Sequence, residues 1–197
     1  MTAMRDEICI VATRLFAQHG LEGTTMRAIA KAMGVSTMAP YHYFRDKDEI
    51  LAAVLQRAFE QFVGVVENAV SGEDSAVGRA RAKRRAYCKL AMEKPGIYRV
   101  MFEMPHPRES DYPGMAEAIN RARAAMREAI EELIAEGAVA GDPEFVSHMF
   151  WSAVHGPLSL YLAGKLNPAI DMEKMIDTQI QGVYASLRPE REKVQPS

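Results

Sequence analysis

Cysteine is scarce in this sequence: Cys9 and Cys88 are the only two among 197 residues. They are far apart, match no disulfide or metal spacing, and each falls within an apolar helical pattern as a small buried hydrophobe. Long hydrophobic runs are missing as well. No stretch approaches the roughly 20 apolar residues of a membrane span, and no apolar segment near the start ends in a small-residue cleavage site. No membrane partner is expected, and the cytoplasm is the expected compartment. Charge of one sign is also lacking: 24 Lys/Arg stand against 26 Asp/Glu, a net charge of -2. The basic signature of many nucleic-acid binders is therefore absent, and any such function has to rest on a motif. No nucleophile–base pair or phosphate loop occurs in a recognisable context, so the chain does not read as an enzyme and no cofactor is expected. His148 and His155 lie two helical turns apart without a third ligand, so no metal site is expected either. Alternating Val/Ile/Thr runs between turn signals are absent, which excludes strands of any strength.

What is present reads as helices, and the expected fold class is all-α. Ile8, Val11, Ala12, Leu15, Phe16 and His19 form an i, i+3, i+4 stripe closed by Gly20. Gly23-Thr24-Thr25 restarts the chain, and a threonine there offers an N-cap for a helix carrying Met26, Ile29, Ala30 and Met33. Asp46 offers another cap, with Glu49 in capping-box register. The helix it starts bears Ile50, Leu51, Val54, Leu55, Ala58, Phe59 and Phe62 on one stripe. Further helices are expected over about 77–93, from Pro95 to near Phe102, over 115–136, 143–163 and 170–187. The division expected is a small helical unit at 1–50, a larger helical unit at 51–188 and a polar, flexible tail at 189–197.

Between the second and fourth helices stands the turn Met33-Gly34-Val35-Ser36. Two short helices joined by a tight glycine turn, with a helix in front, form a helix-turn-helix. Gly34 takes positive φ cheaply, and Val35 can plug the junction between the two helices. The reading helix is expected from Ser36 to about Tyr43, with its N-terminal residues in the major groove. Pro40 fits if Thr37 is the N-cap, because the third helical residue has no intrahelical partner for its N–H. Ile29, Met33 and Phe44 are expected in the core.

The stretch from Thr25 to Ser36, followed by Tyr41-His42-Tyr43-Phe44-Arg45-Asp46-Lys47-Asp48-Glu49-Ile50-Leu51, resembles the N-terminal signature of the TetR family, named for the tetracycline repressor. The resemblance spans about residues 5–60. It implies that Thr37, Met38 and Ala39 face the bases and that Tyr41 and Tyr43 touch phosphate, although either tyrosine also suits a partly buried support. Thr25 and Arg27 would anchor the second helix and Lys47 would grip phosphate; Ser36 and His42 complete the candidate set. Met38 and Ala39 carry no hydrogen-bonding side chain, so readout would lean on thymine methyl groups.

The segment Lys94-Pro95-Gly96-Ile97-Tyr98-Arg99-Val100-Met101-Phe102 is also similar to the family, where a short helix after a proline links the ligand and DNA domains. Trp151-Ser152-Ala153-Val154-His155-Gly156 matches the Trp-x-x-x-His-Gly pattern of the WHG class of C-terminal domains. The implied partners are double-stranded operator DNA, a second copy of the chain through its last two helices, and a small apolar or amphipathic effector. The implied function is a ligand-responsive repressor acting as a homodimer on a palindromic operator. Flexible thioethers and aromatics suit an adaptable pocket, for which Tyr98, Met101, Phe102, Met126, Trp151 and His155 are the candidates. The same residues suit a methionine-rich core, and the sequence leaves both open. Phe150, Val154, Leu158, Tyr161, Met175, Ile176, Ile180 and Val183 suit a packed bundle. The run Arg79, Arg81, Lys83, Arg84, Arg85 and Lys89 is expected to be a solvated face.

Overall fold

Seven apolar residues recur on one side of the sequence from Ile50 to Phe62, and all seven are buried, with Ile50, Leu51 and Leu55 wholly inaccessible. That stripe belongs to α3 (Lys47–Asn68), one of eight α-helices in a computed structural model that describes residues 2–189. The others are α1 (Thr2–His19), α2 (Met26–Met33), α4 (Ala76–Glu93), α5 (Pro95–Phe102), α6 (Pro113–Ala135), α7 (Pro143–Leu162) and α8 (Met172–Ser186), and among the described residues there is no strand. The all-α expectation holds. The flexible tail expected at 189–197 lies, from residue 190 onward, outside the described residues.

Two units divide the chain: residues 1–65 with 89–123, and residues 66–88 with 124–197. The chain passes from one to the other within α3, α4 and α6.

In the first unit Ile8, Ala12 and Phe16 of α1, Ile29 of α2, Phe44 and the α3 stripe are buried. Fully burying such a side chain contributes roughly 1.5–3 kcal/mol. Met33 is only half-buried and His19 is exposed, so the stripes end before either residue. Helix α5 packs on α1: Arg99 Nη1 donates to the Ala17 carbonyl at 2.9 Å, and a Cβ on Gly96 would lie 3.5 Å from Ala17 Cβ.

In the second unit Ala76, Ile130, Leu133, Val139 and Val146 form a core, with Phe150 and Tyr184 against it. Helix α7 starts on an Asp142 cap whose carboxylate accepts from Phe145 N–H. It continues through Pro157, which is buried and withholds one donor from the helical ladder. The structure sorts the bundle residues that the sequence could not. Val154, Leu158, Ile176 and Val183 point inward, while Tyr161 is 51% exposed.

Candidate functional site

The turn after α2 forms as its glycine predicts. Thr25 Oγ1 accepts from Ala28 N–H at 3.1 Å and starts α2. Gly34 ends it at φ 70° and ψ 25°, in the left-handed region that favours glycine. Gly34 N–H then reaches the Lys31 carbonyl at 3.2 Å and Val35 N–H the Ala30 carbonyl at 3.1 Å, the paired bonds of a Schellman ending.

The reading segment departs from expectation. Instead of an α-helix from Ser36 to Tyr43 there is a turn at 37–39 and a 3₁₀ helix at Pro40–His42. No side chain caps it, and Ala39 rather than Thr37 stands at its N-cap. The cause is Pro40, which has no N–H to offer the Ser36 carbonyl. Ala39 N–H takes that carbonyl instead, at 2.9 Å. The three-residue spacing then repeats from Tyr41 to Met38, His42 to Ala39 and Tyr43 to Pro40. Such winding suits only a short piece, and it leaves Ser36, Thr37, Met38, Tyr41 and His42 exposed around a buried Pro40.

Thr25 and Arg27 are exposed as well, while Ala39, Tyr43 and Lys47 are half-buried. The ten residues expected to meet DNA thus all lie in the first unit, and each has accessible surface. Lys47 is engaged in the free chain. Its Nζ donates to the Leu21 carbonyl at 3.0 Å, tying the start of α3 to the α1–α2 connection, and lies 3.5 Å from Glu22.

The acidic cluster after this segment is mostly taken up by internal bonds. Asp46 Oδ1 accepts from Glu49 N–H at 2.8 Å, the cap expected for α3. The reciprocal bond goes one residue further back than in a standard capping box: Glu49 Oε2 accepts from Arg45 N–H at 2.7 Å. Arg45 Nε also reaches Asp46 at 3.1 Å. Burial alone would raise the Asp46 pKa, but the Glu49 N–H and the Arg45 guanidinium overcome it and hold the carboxyl below its ordinary value.

Arg5, which the sequence did not single out, completes the scaffold. It donates to the Tyr43 carbonyl at 3.1 Å, sits 4.2 Å above the centre of the Phe44 ring and lies 3.6 Å from Glu49. No local pattern could reveal it, because its partners lie about 40 residues away in sequence.

The second unit holds a cavity of about 130 Å³ lined by α4, α6, α7 and α8. Of the six expected ligand residues, Met126 and Trp151 line it. His155 stands beside it, its Nδ1 3.1 Å from the Oη of Tyr87, another lining residue, and its ring 4.9 Å from that of Trp151. Tyr98, Met101 and Phe102 belong to the first unit. There Tyr98 and Met101 are buried, and Phe102 packs edge-on against Phe59.

The α4 charge run is not the uniform solvated face expected. Arg79 pairs with Glu132 and Glu136, Arg84 pairs with Asp177 at 2.6 Å, and Lys83 is buried. Among the described residues, no group of three His, Cys, Asp or Glu is placed to hold a metal ion, and no helix is long and apolar enough to cross a membrane.

Residues 8–54 match the family described as bacterial regulatory proteins, tetR family, and residues 80–183 match the tetracyclin repressor-like C-terminal domain. The chain is 27% identical to the HTH-type transcriptional repressor KstR2 of Mycolicibacterium smegmatis, over 90% of this chain and 92% of that protein. It is 30% identical to the HTH-type transcriptional activator FasR of the same species, over 66% of this chain and 58% of that one. The fold is shared with the ketosteroid transcriptional regulator KstR2 of Mycobacterium tuberculosis. There the TM-score is 0.70 at 17% identity, covering 96% of this chain and 97% of that structure. With both of its parts matched, the chain belongs to the tetracycline-repressor family of helix-turn-helix transcriptional regulators.

Proposed function

We propose that the protein is a homodimeric repressor that binds a palindromic operator through the segment 36–43 and is released by a small effector held in the second unit. The observation that carries this reading is the cavity between α4, α6, α7 and α8. Two of those helices, α4 and α6, continue into the first unit. Helix α4 is followed at once by α5, which bonds to α1 through Arg99 and the Ala17 carbonyl. An effector that separates α4 from α6 changes the path of α5 and, through it, the seat of the helix-turn-helix. Two reading segments must meet half-sites at a fixed separation, so a small shift loses many contacts together. The effector acts only through its differential affinity for the two states.

Pairing through α7 and α8 is supported by their outer faces. On α7, Leu160 and Tyr161 are each at least 40% exposed. A shallow depression between the helices is floored by the small residues Ser152, Ala153, Gly182 and Ser186, which permit close approach of a second copy. In the reading segment, Thr37 and Met38 act on bases, and Tyr41 and Lys47 on phosphate.

Sedimentation of the purified chain is expected to give a dimer, and fluorescence anisotropy to show tight binding to DNA from upstream of its own gene. Lys47→Ala weakens that binding across all sequences and lowers its salt dependence by about one phosphate contact, whereas Thr37→Ala changes sequence preference. Identical DNA affinity with and without an effector that demonstrably fills the cavity refutes the release mechanism.

A further inference from the structure

Lys83 is 7% exposed, and together with Thr24 it makes up the buried polar residues among those described. Its Nζ donates to the Ala125 carbonyl of α6 at 2.9 Å. An ammonium has three donors, and none of the ion pairs among the described residues includes Lys83. A buried cation without a counter-charge is costly and is retained where a partner completes it.

Lys83 lines the cavity, along with Arg81, Arg84 and a single carboxylate, Asp177. That carboxylate is held by Arg84 at 2.6 Å; Arg81 is exposed to solvent, and Lys83 is the buried cation left without a counter-charge. Most of the remaining wall is apolar, with Met126, Ile130, Phe150 and Trp151 in it, and Ser147, Gln181, Tyr87 and Tyr184 add neutral polar groups. The volume, about 130 Å³, is close to that of cavities that hold a benzene-sized molecule.

We infer that the cavity takes a small amphipathic carboxylate, with its anionic head on Lys83 and its hydrocarbon body against Phe150, Trp151 and Met126. The inference rests on the ligand-responsive reading for its biological meaning, but the site itself is testable without DNA. Trp151 is the one tryptophan in the chain and lines the cavity, so its fluorescence reports occupancy directly.

The test titrates butanoate, hexanoate, octanoate and 3-phenylpropanoate against the full-length protein, each beside its uncharged primary amide. At least one acid is expected to shift Trp151 emission saturably and to bind roughly tenfold or more tighter than its amide, the margin of one charge-assisted hydrogen bond. Lys83→Met removes that preference while the amide still binds, and Lys83→Arg keeps it. Equal affinity of acid and amide in the wild type overturns the inference, as does the absence of any saturable change with the whole series. Either result makes Lys83 a strap between α4 and α6 and nothing more. If Lys83→Met does not fold, the wild-type comparison and Lys83→Arg decide the matter. An acid that binds through Lys83 yet leaves operator affinity unchanged upholds the anion site and refutes only the release mechanism.

Discussion

The two units hold their positive charge in different ways. In the first, Arg5, Arg45 and Lys47 bond to main-chain carbonyls and carboxylates of the same unit, and they fix a scaffold from which the reading segment projects. In the second, Arg79 and Arg84 are paired with acids, while Lys83 lies buried at a cavity wall with one neutral partner. The contrast explains how a chain of net charge -2 can serve an anionic polymer at one place and take an anionic small molecule at another. Bulk charge averages over both, so neither is visible in it.

The comparison breaks first at the level of packing. Phe44→Ala empties a site that is 2% exposed and removes the ring beneath Arg5; it is expected to cost about 3–5 kcal/mol. Leu133→Ala, at a position with no exposed surface, is expected to cost about 2–5 kcal/mol. Here the new space joins an existing cavity, because Leu133 already lines it. Thermal melts followed by Trp151 fluorescence and by DNA binding separate the two. Phe44→Ala should abolish DNA binding and leave Trp151 folded at moderate temperature, whereas Leu133→Ala should admit larger ligands. If both variants lose both signals together, the two units unfold as one.

A smaller effect tests the turn. Gly34 sits at φ 70° with open space where a Cβ would go, so Gly34→Ala incurs only the backbone penalty. About 1 kcal/mol of lost stability is expected, measured by urea denaturation. A neutral result would show that the turn relaxes and is not the fixed element on which the reading segment depends.

Asp46 adds a pH dependence to the same region. Asp46→Ala removes the α3 cap and is expected to cost about 1 kcal/mol near pH 7. The folded-state pKa of Asp46 is depressed, so its contribution is present above the ordinary carboxylate value of 3.8 and is lost as pH falls through the lower folded value. The gap between wild type and variant should therefore hold steady down to about pH 5 and close progressively below it. A gap that persists at pH 2 would mean that the capping bond survives protonation and that charge is not its source.

Most of the fold was legible because its signals are local. The α3 stripe, the Gly34 ending, the threonine cap of α2 and the Asp46 cap of α3 are set by residues within one or two turns of each other, and they form, with Thr25 as the threonine and Glu49 bonded one residue further back than its register implies. The 3₁₀ winding of the reading segment is not legible, because in sequence Pro40 suits the start of an α-helix equally well. The carbonyl it leaves free has to go somewhere, and taking Ala39 N–H shifts the whole segment to 3₁₀ spacing. The burial of Lys83 is hidden for a different reason. A basic run on a helix looks the same in sequence whether it faces water or another helix, and only the approach of the Ala125 carbonyl separates Lys83 from its neighbours. Arg5 and the split of the candidate pocket residues between two units are likewise tertiary facts that no local pattern encodes.

The smallest expected effect uses the two cysteines, one in each unit. Burial raises the pKa of Cys88 to about 11 from an ordinary 9.0, and burial likewise raises that of Cys9 against the opposing pull of Arg57 and Arg5. Only the thiolate reacts, so the shift at Cys88 alone lowers its reactive fraction near pH 8 by about 100-fold relative to an ordinary thiol. Steric protection slows both residues further. Iodoacetamide should accordingly modify the folded protein slowly at both sites and the urea-denatured protein quickly, as followed by peptide mass. The rates also compare the units, because the deeply buried Cys9 reacts only through local opening. Cys9 is 3% exposed, whereas Cys88 is half-buried near the point where α4 passes from one unit to the other. Cys88 should therefore react first, and saturating the cavity with a bound carboxylate should slow it without changing Cys9. Equal protection of both residues on ligand binding would mean that the cavity stabilises the chain as a whole, and the separate roles assigned to the two units would fall.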